Sequence, residues 1–449
     1  ERSDAGADRR IATSLMPMLG VALFVALFVV FQLADETLRR SGPTVPGGDL
    51  NGYYLPSMAF IHHAIETAQL PLWNPYQLAG SPFLAMQSPG ATNPSILAVA
   101  WLPPHVALTV HAIGHFLLAG YLVLRFARAL GCTPIACAVA GIGYIGSAPL
   151  IAATHQAAFL SVFAWAPGVL LAVEGLYQRP GWRSSGFLTA ALSLCFLGGY
   201  AQGFLYSVEL AACYGVLRLA SGGSWRKALQ AIGWAAAAGV VALCLVSVQM
   251  LPTLSHAASA SRDLEGLTAN LADISSLRPR HLLPSLVGVA DGPAALPYLL
   301  VPLALAAVAL PGRRLPGVCF VALLLLCFDF MLGMRGVSFG AQFALPGGDL
   351  FRFPTRMDFA YHLAGAVLLG LGASAIESFV RSRATGPIVR SLAVAISLLI
   401  AVGVAVELWV RNPLPRRYEP LASPELIYGP PELVEFARTI GYQRIYVRT

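Results

Sequence analysis

The stretch PGGDLNGYYLPSMAFIHHAIETAQLPLWNPYQLAGSP, residues 46–82, is the long polar segment near the start of a chain that otherwise consists mainly of hydrophobic spans. Within it, Tyr54, Met58, Ile61 and Ile65 recur at spacings of three and four, which predicts one apolar face of a helix. Such a helix is expected to lie in the plane of the membrane interface. Asp49 would stand just before its first turn.

The composition of the whole chain is typical of a polytopic membrane protein. Of the 449 residues, 57% are hydrophobic and 11% are charged, and the mean hydropathy is +0.67, unlike soluble domains. Because about 20 apolar residues cross a hydrocarbon core, we predict an all-α integral membrane protein with about 11 transmembrane helices. The spans lie near residues 11–34, 105–126, 134–153, 156–177, 186–200, 203–220, 229–250, 296–311, 315–333, 357–379 and 388–410.

Arginines in the short loops between these spans predict the orientation. Arg125 and Arg128 follow the second span, and Arg313 and Arg314 follow the eighth, so these loops are expected on the cytoplasmic side. The N-terminus is then inside, and four long segments are outside: residues 35–104, 251–295, 334–356 and those after 411. We expect residues 1–411 to form the transmembrane domain, with residues 35–104 as the first outside loop. Residues 412–449 would begin an outside C-terminal domain that this chain does not complete.

The formal net charge of +7 does not indicate a nucleic-acid partner in a chain of this class. Lys227 is the only lysine among 29 basic residues, and arginine is the better bidentate partner for phosphate. A codon bias toward arginine is the alternative explanation for the excess. All seven cysteines fall within or beside spans, so neither a disulfide framework nor a cysteine metal site is predicted.

The position of Asp49 admits two interpretations. An aspartate before a helix is a common N-cap, and Asn51 could share that role. The same carboxylate, at the head of an outside loop, is also a candidate catalytic group. Spacing alone leaves both open.

Several motifs, taken in order, resemble the YfhO-like branch of the GT-C superfamily of membrane glycosyltransferases. They are a GD-containing first loop, LPLWNPYQLAGSPFLAMQSPGATNPSILAVAWLP, YLVLRFARALG, GGYAQGFLYS, VQMLPTLSHAASASR and FRFPTRMDFAYHLAGAVLLGLGA, within residues 45–375. The resemblance implies a GT-C fold and an inverting transferase that takes a sugar from a polyprenyl-phosphate donor on the outer leaflet. It also implies a first-loop aspartate as catalytic base, which corresponds to Asp49.

This chemistry needs a base on one face of the sugar and positive charge on the other. A carboxylate can take the proton of the acceptor hydroxyl as the anomeric carbon is attacked, and cations stabilise the leaving phosphate. Arg262, Arg352 and Arg356 are the candidate cations, and a helix beginning near Pro354 would bring the last two together. The alternative for each is an arginine that binds lipid headgroups.

Polar and aromatic residues in the outside loops and turns are candidates to line the substrate cavity: Tyr53, Tyr54, His62, Trp73, Asn74, Tyr76, His155, Gln156, Tyr200, Gln202 and Asp349. Asp349 belongs to a second PGGDL at residues 346–350, which coincidence also explains. If it met Asp49, Asp349 could orient the acceptor or help hold Mg²⁺ or Mn²⁺, so a divalent cation is possible and the metal site is left open.

Other polar residues inside spans have simpler explanations. His111 and His115 are one helical turn apart but have no third ligand nearby, so interhelical hydrogen bonding is expected rather than zinc binding. Intramembrane acids are costly. Asp329 and Glu209 are therefore expected either to pack against partners or to face a polar cavity.

The function predicted from these features is transfer of a lipid-linked sugar at the outer face of the cytoplasmic membrane. The expected partners are the polyprenyl-phosphate sugar donor, a cell-envelope glycan, lipid or protein acceptor, and membrane lipids. A transporter or lipid flippase is the alternative from another class, because broken helices and intramembrane polar groups also suit it. A non-catalytic assembly protein with the same fold is a third possibility.

Overall fold

A computed structural model describes residues 20–24, 44–46, 49–77, 80–221, 224–259, 275–289, 294–312, 314–344, 351, 353–383, 386–411 and 418–420. Its α-helices are α1 (Leu55–Glu66), α2 (Pro94–Leu97), α3 (Pro104–Ala129), α4 (Pro134–Ile145), α5 (Ala148–Ala152), α6 (Ala157–Gln178), α7 (Trp182–Leu197), α8 (Ala201–Ala220), α9 (Trp225–Ser259), α10 (Leu282–Leu286), α11 (Leu300–Ala309), α12 (Arg314–Met331), α13 (Val337–Phe343), α14 (Asp358–Arg383) and α15 (Pro387–Arg411). Two short strands, β1 (Thr44–Pro46) and β2 (Tyr418–Pro420), pair antiparallel.

The helices confirm the predicted all-α membrane class. Among the described residues, seven helices are long and apolar enough to cross a membrane, or eight if α4 and the segment from Ala148 to His155 form one span bent by 50°. The predicted spans from 105–126 onward each coincide with helix, but α7 has 16 residues and α11 has 10. The number of crossings therefore stays a prediction.

Part of the predicted first span lies within the described residues. Residues 20–24 are helical, and Val21 is buried. Its side chain lies against Gly120 of α3 and Gly141 of α4, where a Cβ on either glycine would collide with it or crowd it. Small residues allow this close approach between helices. The rest of residues 11–34 lie outside the described residues.

The centre of the bundle is α14, which packs against α4, α11 and α12. In its most apolar window 78% of residues are buried, against 17% for α9 and 22% for α15, so the last two lie at the periphery. Two glycines let α14 approach its neighbours. A Cβ at Gly370 would lie 2.8 Å from the Ala140 Cβ, and one at Gly372 would collide with the Leu303 carbonyl.

The helix α1 forms as predicted, but its buried face is rotated away from Ile65 and toward Ser57, relative to the predicted apolar stripe. Met58 and Ile61 are buried as expected, whereas Ser57 is buried and Ile65 is 43% exposed. The predicted stripe is therefore wrong at Ile65. The physical reason is that α1 packs along α3 on a face centred between Ser57 and Ile61.

The chain after α1 is fastened to the bundle by hydrogen bonds. Gln87 Nε2 donates to the Phe196 carbonyl (2.8 Å) and Ser88 Oγ to the Gly199 carbonyl (3.2 Å). From α9, Gln249 Nε2 donates to the Leu84 carbonyl (2.8 Å). Residues 84–88 are therefore held between the α7–α8 turn and α9.

A second set of bonds joins the end of this loop to α3 and α6. Asn93 caps α2 by accepting from Ser95 N (3.0 Å). Ser161 Oγ lies 3.1 Å from His111 Nε2, and Ser95 Oγ lies 3.4 Å from His115 Nε2. This arrangement confirms interhelical hydrogen bonding for the two histidines.

The intramembrane acids differ in their surroundings. Asp329 accepts from the backbone N–H groups of Ser338 (2.8 Å) and Val337 (3.2 Å), so it caps α13. This is one of the two outcomes expected for it. Glu209 Oε2 is buried without a hydrogen-bond partner in the described part of the chain.

Candidate active site

Asp49 lies at the head of a π-helical turn, Leu50–Tyr54, that continues into α1. Its backbone is already helical (φ −62°, ψ −28°), and its side chain makes no cap hydrogen bond. Asp49 therefore occupies the N-cap position, but its side chain does not cap the helix, so the capping interpretation is wrong for the side chain. Its exposed carboxylate accepts a hydrogen bond at Oδ2 from Gln156 Nε2, at 2.6 Å.

Gln156 reaches Asp49 because the span before it is broken. After α4, the chain turns at Gly146 and Ser147, forms α5, and then makes a 3₁₀ turn at Ala153–His155. Gln156 follows with non-helical dihedrals (φ −133°, ψ 88°) and precedes α6. His155 lies beside it and is partly buried. Both residues are at the end of the bundle that carries Asp49.

Tyr53 and Tyr54 are the last two residues of the π-helical turn that follows Asp49. Their rings meet edge to face, with centroids 5.2 Å apart. Tyr54 is buried beside the Ala158 backbone and lies within electrostatic reach of both Asp49 and Arg356. Burial raises the pKa of Tyr53 to about 12 and raises the pKa of Tyr54 as well. Both phenols are therefore neutral and able to donate hydrogen bonds.

Arg356 lies in an aromatic cage on the same side of the bundle. It belongs to the 3₁₀ turn Pro354–Met357 that leads into α14. Its Cζ atom is 4.4 Å from the ring centroid of Phe353, 5.2 Å from that of Phe159 and 5.6 Å from that of Tyr200. Phe159 and Tyr200 stack on each other at 3.7 Å. Contacts of this kind hold a guanidinium plane in one orientation.

Gln202 completes the support of Arg356 from α8. Arg356 Nη1 donates to Gln202 Oε1 at 3.3 Å. Gln202 Nε2 in turn donates to the Tyr206 hydroxyl (2.7 Å) and to the Phe353 carbonyl (3.0 Å). The amide is therefore fixed by two donated bonds and presents its oxygen to the arginine.

A cavity of about 600 Å³ opens beside the π-helical turn and α1. Tyr53, Asn74 and Tyr76 line it, as do Phe60 and His63. Asn74 is held by backbone hydrogen bonds with Ser81 in both directions, at 2.9 Å each. The lining combines aromatic rings with amide and imidazole groups, which is the chemistry that binds sugars.

Three predicted cavity residues of the same loop, Tyr54, His62 and Trp73, do not line this cavity. His62 faces away from the cavity, with Nδ1 2.8 Å from the Ala100 carbonyl and Nε2 3.3 Å from Glu66. Trp73 is 57% exposed and lies against Gly80. Their roles stay predictions.

Three candidate residues, Arg262, Arg352 and Asp349, lie outside the described residues. The expected pairing of Arg352 with Arg356 therefore stays a prediction, although the helical turn at Pro354 does form. Among the described residues, no group of three or more His, Cys, Asp or Glu side chains could hold a metal ion.

Sequence reasoning missed Phe159, Phe353 and Asp358. The two rings complete the cage of Arg356, but both stand among apolar residues and carry no signal of their own. Asp358 begins α14 and lies within electrostatic reach of Arg356 and Tyr200. The sequence does mark Asp358, because it is an acidic residue two positions after Arg356 at the start of an apolar span.

Comparison with known proteins finds similar folds among solved structures. No protein-family model matches the chain, and no curated protein matches it. Among solved structures, arabinofuranosyltransferase AftD from mycobacteria aligns with a TM-score of 0.57 and 15% identity, over 95% of this chain and 28% of AftD. The apo oligosaccharyltransferase of Archaeoglobus fulgidus aligns with a TM-score of 0.56 and 13% identity, over 97% of this chain and 60% of that enzyme.

The archaeal enzyme AglB, in complex with an inhibitory peptide and a dolichol-phosphate, aligns with a TM-score of 0.52 and 12% identity. At this level of identity the likeness concerns the fold. The protein is a multi-pass membrane protein with the GT-C fold of these glycosyltransferases, and it spans less than two thirds of their length.

Proposed function

We propose that this protein transfers a sugar from a polyprenyl-phosphate donor to a cell-envelope acceptor at the outer face of the cytoplasmic membrane. The observation that supports this proposal most is the pairing of Asp49 with Gln156 in a GT-C fold. Tyr54 lies within electrostatic reach of both Asp49 and the caged Arg356. The orientation, with the N-terminus inside and the C-terminus outside, belongs to the same proposal. So does membership of the YfhO-like branch.

Asp49 acts as the general base in this proposal. Gln156 binds Oδ2, and no hydrogen bond to Oδ1 comes from the described part of the chain. Oδ1 can then accept the proton of the acceptor hydroxyl while that oxygen attacks the anomeric carbon. The bond from the anomeric carbon to the donor phosphate breaks on the opposite face, so the reaction inverts the configuration.

Arg356 stabilises the polyprenyl phosphate that leaves. Negative charge grows on this phosphate in the transition state, and a cation already oriented toward it lowers the barrier. The cage and Gln202 provide this orientation. Arg262 and Arg352 are proposed as further cations. The dolichol-phosphate bound to the AglB structure supports a lipid-phosphate ligand for this fold.

The acceptor enters through the 600 Å³ cavity in this proposal. Tyr76 and Phe60 supply rings for stacking on a sugar face, and Asn74, His63 and Tyr53 supply polar groups. Gly52 and Tyr53 of the π-helical turn, three and four positions after Asp49, line the cavity together with residues of α1 and of the loop after it. The proposal therefore places the acceptor near the base.

A divalent cation, Mg²⁺ or Mn²⁺, stays a proposal. Among the described residues, Asp49 belongs to no group of three or more His, Cys, Asp or Glu side chains that could hold a metal ion. Mg²⁺ usually takes one or two carboxylates together with water and substrate phosphates. Asp349 could supply one of these carboxylates.

Transfer of a labelled sugar by purified protein tests this function. Wild type, Asp49→Asn and Glu66→Gln are compared with synthetic polyprenyl-phosphate sugars as donors. Loss of general-base catalysis should lower the rate of Asp49→Asn by about 10²- to 10⁴-fold. Glu66→Gln, an equal loss of charge at a side chain that is 61% exposed on the same loop, should transfer normally.

Two outcomes contradict the proposal. Undiminished transfer by Asp49→Asn would exclude Asp49 as the base. Absence of transfer by the wild type from every donor would favour a transporter or flippase, which should tolerate Asp49→Asn.

A further inference from the structure

A second cavity lies in the half of the bundle away from Asp49. It has a volume of about 470 Å³ and is formed by α6, α7, α8 and α9. Its floor includes Val173, which is 16 positions after Ala157 in α6 and therefore roughly 24 Å farther along the helix axis. We call this cavity the distal groove. Its position separates it from the candidate active site.

The walls of the distal groove are fixed by hydrogen bonds. Ser185 of α7 donates to the Trp234 carbonyl of α9 at 3.0 Å, and Thr189 donates to the Ala238 carbonyl at 3.3 Å. On the other side, Arg218 of α8 binds Glu174 of α6 through two bonds of 2.8 Å. The helices therefore keep the groove open.

The lining of the distal groove is apolar and open toward the exterior of the bundle. Leu188 and Leu192 come from α7, Val216 from α8, and Ile232 from α9. Val216 is 66% exposed and Ile232 is 51% exposed. Arg218 also lines the groove, but its charge is compensated by Glu174. An opening of this kind in a membrane-spanning bundle faces hydrocarbon.

The helices α7 and α9 each start with a Trp–Arg pair, six positions before their first groove-lining residues, Leu188 and Ala231. Trp182 and Arg183 begin α7, and Trp225 and Arg226 begin α9. The indoles are 70% and 68% exposed, and each guanidinium lies over the preceding indole, at 5.2 Å and 5.8 Å. Tryptophan is enriched at the level of lipid headgroups, while arginine and helix N-termini attract phosphate.

We propose that the distal groove binds one acyl chain of an anionic glycerophospholipid. The lipid lies in the leaflet opposite to Asp49, with its phosphate at Arg183 and Arg226. The apolar lining accommodates the chain, and the two cations match the charge of the headgroup. This ligand differs from the sugar donor in its leaflet and in its site, so the inference does not depend on the proposed function.

Photo-crosslinking in lipid nanodiscs tests the acyl-chain site. The probe is phosphatidylglycerol with a diazirine near the end of one acyl chain, and labelled peptides are identified by mass spectrometry. Wild type should be labelled on α8 around Gly215 and on α9 around Ile232. Gly215→Leu is expected to fill the groove, and a Cβ there would lie at an ordinary contact distance, 3.5 Å, from Val173.

The expected loss in Gly215→Leu is about fourfold for each methylene that the leucine displaces. Gly233→Leu is the matched control, since Gly233 is exposed on α9 and does not line the groove. A Cβ added at Gly233 would meet no atom of the described residues within 4 Å. Labelling of Gly233→Leu should equal that of wild type. Equal labelling of Gly215→Leu and wild type would overturn the proposal.

The headgroup is tested with the same probe on phosphatidylcholine. Wild type should prefer phosphatidylglycerol, and the double variant Arg183→Gln with Arg226→Gln should lose this preference. This variant leaves the lining of the groove intact, so it tests the lipid site even if Gly215→Leu does not fold. Equal labelling of wild type by both lipids would contradict an anionic phospholipid site.

Discussion

Replacement of Arg356 by lysine separates the charge of this residue from its geometry. Lysine keeps the positive charge but has neither the planar fork nor the stacking surface of arginine. In the structure, the Arg356 guanidinium is held by Phe353 at 4.4 Å, by Phe159 at 5.2 Å and by a bond to Gln202 at 3.3 Å. An ammonium group at this position would lose that fixed orientation.

The expected cost follows from the contacts that lysine cannot make. A hydrogen bond to a charged group contributes about 1.5–3 kcal/mol, and cation–π contact in a partly dry site contributes about 0.5–2 kcal/mol. The positive charge itself remains in the lysine variant. We therefore expect the variant to lose about 2–3 kcal/mol of transition-state stabilisation. This corresponds to a decrease in kcat/KM of about 30- to 150-fold.

Initial rates of sugar transfer, measured at several donor concentrations, give kcat/KM for Arg356→Lys and for the wild type. A contact made mainly in the transition state lowers kcat and kcat/KM together, whereas one made equally with bound donor raises KM. Arg280→Lys is the control, since Arg280 is exposed in the 3₁₀ turn Pro279–His281. Wild-type kcat/KM in Arg356→Lys, or an equal decrease in Arg280→Lys, would refute the role of the caged guanidinium.

Two further predictions concern other contacts. Gln156→Leu removes the side chain that donates the 2.6 Å hydrogen bond to Asp49. It should lower kcat about 10- to 100-fold and leave the KM for the donor unchanged, as measured by initial rates. An unchanged kcat would contradict a role of Gln156 in catalysis. Glu174→Gln leaves Arg218 in a largely buried site without its counter-charge, which should destabilise the fold by about 3 kcal/mol. Thermal unfolding in detergent measures this loss, Glu66→Gln serves as control, and equal midpoints for both would show that the buried pair contributes little.

The membrane class could be predicted because it follows from hydrophobic length and from counting spans. The predicted order of crossings places Asp49, in the first outside loop, and Gln156, in the turn between the third and fourth spans, on one side. Their direct hydrogen bond could not be predicted. It depends on the break at Gly146, which lets the chain turn before α6.

The cage of Arg356 could not be predicted for a different reason. Phe159 and Phe353 are 194 positions apart in the chain, and an aromatic ring in an apolar run looks the same whether it faces lipid, core or cavity. Only the packing of α6 against the segment before α14 brings the rings together. The buried face of α1 was misjudged at Ile65 because periodicity identifies a face but not the neighbour that covers it.

The fastening of residues 84–95 has a consequence for substrate exchange. This segment is hydrogen-bonded to α9, to the α7–α8 turn, and through Asn93 and Ser95 to the helices that carry Ser161 and the two histidines. Moving it aside would break all of these bonds within a single turnover. If the proposed function holds, we therefore expect residues 84–95 to stay in place while donor and acceptor bind and leave, with amide hydrogen exchange as slow as that of the helices they join.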